Sequence, residues 1–238
     1  MKRFFVLMFF LASFGALMGQ SDSLKPAKKA SKWDPNQIVV VRDRLNFDIF
    51  HSFWMGTPKE GEFMKFNPGF NVSAMWDFKM PQNKSLSFGL GVGFSLYTQY
   101  SNCILKYDYE SQLNKYYIMP SDTIYKKCRM TYSNVHIPFE IRYRHPCGFK
   151  FSVGVHVGLV TGLAHKYKGD DWVNGGDRNL HYKNRDFYDK QRFSADVYMR
   201  MGWKAFAVFY SYQLNRVFDD GKGPKMNPMS VGLSISLF

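Results

Sequence analysis

The chain has 238 residues, 45% of them hydrophobic and 18% aromatic, and its formal net charge is +13. A mean hydropathy of −0.32 argues against a bundle of membrane-spanning helices. A nucleic-acid-binding protein would concentrate Lys and Arg on one face of a recognisable module, whereas here they lie mostly in polar segments between apolar runs. We therefore expect neither a helical membrane protein nor a nucleic-acid partner.

The amino-terminal residues have the pattern of an export signal. Lys2 and Arg3 precede an apolar run that ends in small residues, which is typical of a secretory signal peptide over residues 1–19, cleaved after Gly19. Residues 20–43 are polar and basic and lack periodicity, which predicts a flexible periplasmic leader. No cysteine follows the predicted cleavage site, so we expect no lipoprotein anchor.

The rest of the chain alternates apolar and polar residues with a period of two, as β-strands do. In residues 85–100, for example, the apolar side chains from Leu86 to Leu96 alternate with Gly and Ser. No stretch has convincing helical periodicity. The segments that alternate are residues 45–55, 66–80, 85–100, 134–144, 149–159, 193–203, 205–214 and 229–237. The sequence therefore predicts an all-β protein with eight strands.

A transmembrane barrel explains these strands better than a soluble fold does. A β-sandwich or a lipocalin-like barrel would turn the apolar faces inward and leave mainly Gly and Ser outside. A transmembrane barrel turns the apolar faces to lipid, and its short periplasmic turns alternate with longer external loops, as the predicted connections do here. We predict an eight-stranded antiparallel up-and-down transmembrane β-barrel over residues 44–238.

Aromatic residues near the strand ends suggest girdles at the two membrane surfaces. The expected outer girdle consists of Phe53, Phe66, Tyr132, Tyr167, Phe193 and Tyr212.

Charged residues occur on the faces that would line the lumen. An eight-stranded lumen is barely wide enough for side chains, so we expect paired charges that plug it rather than a transport path. The predicted lumen cluster is Asp48, Asp77, Glu140, Arg142, Arg144, Asp196 and Arg200. His136 and His156 also face inward on adjacent strands. Because a third metal ligand is not evident, we expect a hydrogen-bonded pair, no metal and no cofactor.

The external loops contain two further features. Cys103 and Cys128 stand at the two bases of the long third connection, and an oxidising compartment favours a disulfide between them, worth ~3 kcal/mol by loop closure. Two unrelated thiols are the alternative, and Cys147 has no predicted partner. A later loop contains Asp170, Asp171, Asp177 and His181, which would suit a rim enzyme, but no nucleophile accompanies them.

Three stretches resemble the PorT-like family, small outer-membrane β-barrel proteins of the Bacteroidota. They are "VRDRLNFDIF" at the first strand, "VHIPFEIRYR" in the fourth and "GKGPKMNPMSVGLSISLF" at the end, and the resemblance covers about residues 42–238. It implies an outer-membrane location and, from the family's namesake, a part in type IX protein secretion.

Three functions are compatible with the sequence. The first is a structural or accessory subunit with a plugged lumen, without enzymatic activity, in contact with outer-membrane lipid, lipopolysaccharide and other envelope proteins. The alternatives are a rim enzyme acting on lipid or peptide and a narrow channel for small solutes.

Overall fold

The structure is a computed structural model that describes residues 44–58, 61–63, 66–80, 85–171, 176–185 and 187–237. The predicted signal peptide and leader lie outside these residues, and their boundaries stay predictions. No helix in the described ranges is long and apolar enough to cross a membrane.

All regular structure in the described residues is β. The strands are β1 (Arg44–Met55), β2 (Pro68–Lys79), β3 (Leu86–Tyr100), β4 (Cys103–Asp108), β5 (Leu113–Ile118), β6 (Tyr125–Arg144), β7 (Phe149–Asp171), β8 (Gly176–Asn184), β9 (Phe193–Trp203), β10 (Phe206–Gln213) and β11 (Asn227–Leu237).

Eight of these strands close into a ring. Antiparallel pairs run from β1 through β2, β3, β6, β7, β9, β10 and β11, and β11 pairs with β1 from Leu45↔Leu237 to Met55↔Asn227. Strands that follow one another in the ring are also consecutive along the chain, apart from the inserted β4, β5 and β8. The predicted eight-stranded up-and-down barrel is therefore confirmed.

The ring has two unlike ends. At the short-turn end, β6 joins β7 through residues 145–148 and β9 joins β10 through residues 204–205. At the long-loop end, two connections expected to be loops contain strands: β4 pairs with β5, and β8 pairs with the far part of β7. The pairing is available because β6 and β7, with 20 and 23 residues, continue beyond the other strands. We call residues 125–133, 161–171 and 176–184 the extension.

The barrel is apolar outside and largely polar inside. Ile49, Val135 and Leu233 are 63%, 48% and 65% exposed, whereas Ser52, Ser230 and Ser234 are completely buried in the lumen. A continuous apolar belt of this kind suits lipid rather than water, and the closed ring leaves no strand edge unpaired within it. The chain is thus a transmembrane β-barrel.

A β-bulge on β7 and the inward phase of β6 show that two members of the predicted outer girdle are wrong. Asn134 pairs with Val160 but Ser133 pairs with Gly162, so Thr161 is an extra residue on β7. The extra residue reverses the alternation of β7 beyond it. Tyr167 consequently points inward and is 2% exposed, and Tyr132, on the inward phase of β6, is completely buried. Neither residue belongs to a lipid-facing girdle.

Candidate functional site

The lumen near the short-turn end is filled by ion pairs. Asp77 on β2 pairs with Arg142 and, at 2.5 Å, with Arg144, both on β6. Arg142 also pairs with Glu140 on its own strand. Glu140 in turn lies 2.8 Å from Nη1 of Arg200 on β9. The alternation of each strand brings these side chains to the inner face, where their charges meet.

Arg200 carries the network to the opposite wall. Its Nη2 lies 2.7 Å from Oδ2 of Asp48 on β1, and Asn71 donates a second hydrogen bond of 2.7 Å to the same oxygen. The Tyr198 hydroxyl donates to Glu140 at 2.7 Å. The network therefore joins three guanidinium groups to three carboxylates, all but Arg144 almost fully buried, and its formal charge is balanced.

Asp196 does not belong to this network. It lies nearer the long-loop end of the lumen, with Oδ2 at 3.7 Å from Nδ1 of His156, and it is 1% exposed. The predicted cluster of seven charges is therefore a network of six and one separate carboxylate. The reason is the position of Asp196 on β9, four residues from Arg200 and hence farther from the short-turn end.

His136 and His156 do meet, but their rings pack at an interplanar angle of 36° instead of sharing a hydrogen bond. Their ring centroids are 4.1 Å apart, and His156 stacks on Tyr198 at 3.9 Å with an interplanar angle of 23°. The Nδ1 atom of His136 lies 3.3 Å from Oδ1 of Asn134. Within the described ranges, no group of three or more His, Cys, Asp or Glu side chains is arranged to hold a metal ion.

Glycines on β3 provide the room for these side chains. A Cβ atom on Gly93 would lie 2.5 Å from Nε2 of His136, and one on Gly89 would lie 2.9 Å from Cγ of Glu140. At Gly91 the nearest side chain is Met75, whose sulfur would lie 2.6 Å away. The empty inner face that the sequence shows is therefore occupied by His136, Glu140 and Met75.

An apolar cluster fills the lumen toward the long-loop end. Phe50 packs against Tyr97 and Phe209, with ring centroids at 5.2 and 5.7 Å, and residues from the connecting loops cover them. The buried members are Phe50, Trp54, Tyr97, Leu105, Met130, Tyr132, Leu163, Phe187, Tyr198, Phe209, Val217, Phe218 and Met226. This half of the lumen is therefore apolar, whereas the sequence predicted only charged residues and histidines within it.

The space left at the short-turn end is small. A cavity of about 30 Å³ is lined by residues including Asn46, Arg144, Lys150 and Ser236, which corresponds to about one water molecule. Ion pairs near the short-turn end and aromatic rings toward the long-loop end therefore occupy much of the described lumen.

Cys103 and Cys128 come together at the base of the β4–β5 hairpin. Both are buried thiols, and Sγ of Cys128 lies 3.3 Å from the carbonyl oxygen of Cys103 and 3.6 Å from Nε2 of His165. Burial raises the pKa of Cys103 to about 11 and that of Cys128 to about 12, and it lowers the pKa of His165 to about 4. The structure brings the predicted partners close, while the bond itself stays a prediction.

The structure places the rim residues considered for catalysis on and beside the far ends of β7 and β8. His181 is exposed on the outer face of β8, opposite Lys168, and Asp170 and Asp171 end β7. The side chain of Asp177 lies outside the described part of the chain.

The comparisons with known proteins reveal remote similarity only. No family model and no curated protein matches the chain. Among solved structures, the chain is similar to Ail, the attachment invasion locus protein of Yersinia pestis, with a TM-score of 0.40 and 10% identity over 83% of this chain and 100% of that one. It is also similar to Neisserial surface protein A, with a TM-score of 0.39 and 11% identity over 82% and 96% of the two chains. A porin mutant of Rh. blastica matches at a TM-score of 0.21 and 8% identity, over 82% and 98%.

Proposed function

We propose that the protein is an integral outer-membrane barrel with a plugged lumen that serves as an accessory subunit of an envelope machine. The observation that carries the proposal is the lumen itself, where a balanced network of buried ion pairs and an aromatic cluster occupy the space that a channel would need. The predicted export signal and the apolar belt support an outer-membrane location, because closed barrels are the β-structures that cross lipid.

The long-loop end supports a role in protein contact. Tyr107 packs against Tyr109 and Tyr188, with ring centroids at 5.2 and 4.8 Å, and Tyr109 and Tyr188 are 73% and 52% exposed. Adjoining exposed tyrosines are typical of protein interfaces. The resemblance to the PorT-like family favours a machine for protein secretion, and the long-loop end would then face the cell exterior.

Affinity purification of the tagged full-length protein from gently solubilised outer membranes, followed by mass spectrometry, tests this proposal. We expect stoichiometric recovery of envelope or secretion components. The double variant Tyr109→Ser/Tyr188→Ser should lose them, whereas Lys204→Gln, at the short-turn end, should retain them. A monomer that purifies alone, with no export defect on deletion, would refute the accessory role.

A further inference from the structure

The outer face of the extension carries a lattice of basic side chains. On β6 and β7 the alternate residues Cys128, Met130, His165 and Tyr167 are 1–2% exposed and point inward. Their neighbours therefore project outward. Lys183 on β8 pairs with Lys166 and is exposed, and exposed Arg185 follows β8 directly. We call the outward cations the basic face: Lys127, Arg129, Lys166, Lys168, Lys183 and Arg185.

The strand register places these cations directly beside one another. Arg129 pairs with Lys166, which pairs with Lys183. Two residues farther along the strands, Lys127 pairs with Lys168. Side chains in such pairs have Cβ atoms about 5 Å apart, and like charges directly opposite each other destabilise a sheet. The sequence alone did not reveal the basic face, because β8 was expected to be a loop.

The protein provides little compensation for this charge. Among the described residues, none of the six cations has an ion pair within 4.0 Å, and Nε of Arg129 is buried without a hydrogen-bond acceptor. Burial lowers the pKa of Lys166, and the charges of Arg129, Lys183, Lys127 and Arg185 lower it further. An anion bound among them would relieve this repulsion.

The basic face begins above the lipid-facing belt. On β7 the last exposed large apolar residue is Leu159, which pairs with Phe193. Lys166 follows seven positions later, which corresponds to roughly 15 Å of height for a tilted strand with a bulge. A compact phospholipid headgroup occupies only about 5–8 Å beyond the hydrocarbon. Exposed Arg192, whose carbonyl oxygen accepts a 2.8 Å hydrogen bond from Val160, lies at the edge of the belt.

We propose that the basic face binds the phosphorylated oligosaccharide headgroup of an outer-leaflet glycolipid such as lipopolysaccharide. This ligand combines repeated negative charge with the height that the basic face requires, and an acyl anchor would keep it beside the apolar belt. The assignment rests on the proposed outer-membrane location. A soluble polyanion shares the negative charge but lacks an acyl anchor that would hold it next to the apolar belt.

Binding of purified glycolipid to the full-length protein in detergent micelles tests the assignment. The variant Arg129→Gln/Lys166→Gln/Lys183→Gln removes the central row, and Lys106→Gln/Lys222→Gln/Lys225→Gln removes three exposed lysines from other long-loop-end segments as a matched control. Each charge near an anionic surface is worth roughly 1 kcal/mol, so we expect about 100-fold weaker binding for the first variant. The control should bind within about twofold of the parent, since its charges lie off the basic face.

Further arms identify the ligand. Glycolipid with its phosphates removed should bind the parent protein as weakly as phosphorylated glycolipid binds the central-row variant. Equal binding by both triple variants would overturn the proposal. Dextran sulfate or inorganic phosphate binding as tightly as the glycolipid would overturn it in favour of a soluble anion. Flotation with phosphatidylcholine vesicles measures membrane insertion separately, so failure to insert refutes the proposed location and failure to bind refutes only this site.

Discussion

Arg200 on β9 donates two hydrogen bonds to Asp48 on β1, from Nε at 3.1 Å and from Nη2 at 2.7 Å, although the two residues are 152 positions apart in the sequence. The same guanidinium group donates to Glu140 on β6 at 2.8 Å. Since β1, β6 and β9 are not adjacent in the ring, Arg200 connects three separate parts of the wall through the lumen.

Replacing Arg200 should therefore destabilise the barrel strongly. Arg200→Met leaves two buried carboxylates without their shared partner, for which we expect a loss of about 3–5 kcal/mol in the free energy of unfolding. Urea titration of vesicle-inserted protein, followed by tryptophan fluorescence, measures this loss. The exposed pair of Arg216 and Asp220 provides a control, because Arg216→Met should cost at most about 1 kcal/mol. Equal losses for the two variants would contradict the role assigned to Arg200.

The contact of Gly93 with His136 predicts a compensating pair of substitutions. In Gly93→Ala the new methyl group would lie 2.5 Å from Nε2 of His136, a fully buried ring with little room to move. We expect a cost of about 1–3 kcal/mol from overpacking, measured by the same titration.

The double variant Gly93→Ala/His136→Ala removes that clash, so its stability should match that of His136→Ala alone. Gly162→Ala is the matched control, since its new Cβ would approach only Oγ of Ser133, at 2.9 Å. A clash unaffected by removal of the His136 ring would show that backbone strain, and not the ring, limits this position.

The close approach of Cys103 and Cys128 predicts a disulfide in the exported protein. We expect alkylation before reduction to label exposed Cys147 only. Mass spectrometry of the unreduced digest should then detect the Cys103 and Cys128 peptides as one disulfide-linked pair. The Cys103→Ser/Cys128→Ser variant should lose roughly 3 kcal/mol. Labelling of all three thiols in unreduced, unfolded protein would show that no bond forms.

Buried His165 predicts that the extension loosens in acid. The pKa of His165 falls to about 4 in the folded protein because burial disfavours the charged ring. The unfolded extension therefore binds a proton between pH 6.5 and pH 4 that the folded one does not, and stability decreases as the pH falls, by up to about 3 kcal/mol. Hydrogen exchange of the β6 and β7 amides in the extension, corrected for intrinsic rates, should reveal faster opening at pH 5 than at pH 7. His165→Gln should remove most of this difference, and an unchanged difference would assign it to another group.

Sequence periodicity predicted the ring well because each strand in lipid needs one apolar face. Periodicity predicted the structure less well outside the membrane, where strands do not need an apolar face. Beyond the belt, Thr161 adds a residue and reverses the phase of β7, which a count of alternating residues cannot detect when the outward positions are already polar. For the same reason β4, β5 and β8 were mistaken for loops.

The lumen was predictable in its members but not in their pairing. Periodicity placed Asp48, Arg200 and Asp196 on the inner face, yet which charges meet depends on how far each strand is staggered around the ring. The stagger allows Asp48 to form an ion pair with Arg200 and places Asp196 beside His156. Phe50 and Phe209 share the inward phase with polar neighbours, so their packing also became evident only from the structure.

The pairing of β1 with β11 couples closure of the ring to neutralisation of Asp48. β1 has β2 as one neighbour, but its second neighbour, β11, exists only after the last strand of the ring has been synthesised. Until then, Asp48 has no fixed position relative to Arg200, and an open sheet in lipid would hold unpaired charges at high cost. The inner face of a partly assembled barrel is therefore more stable in water than in lipid. We expect the sheet to close while it inserts into the membrane, and not after it has inserted as an open sheet.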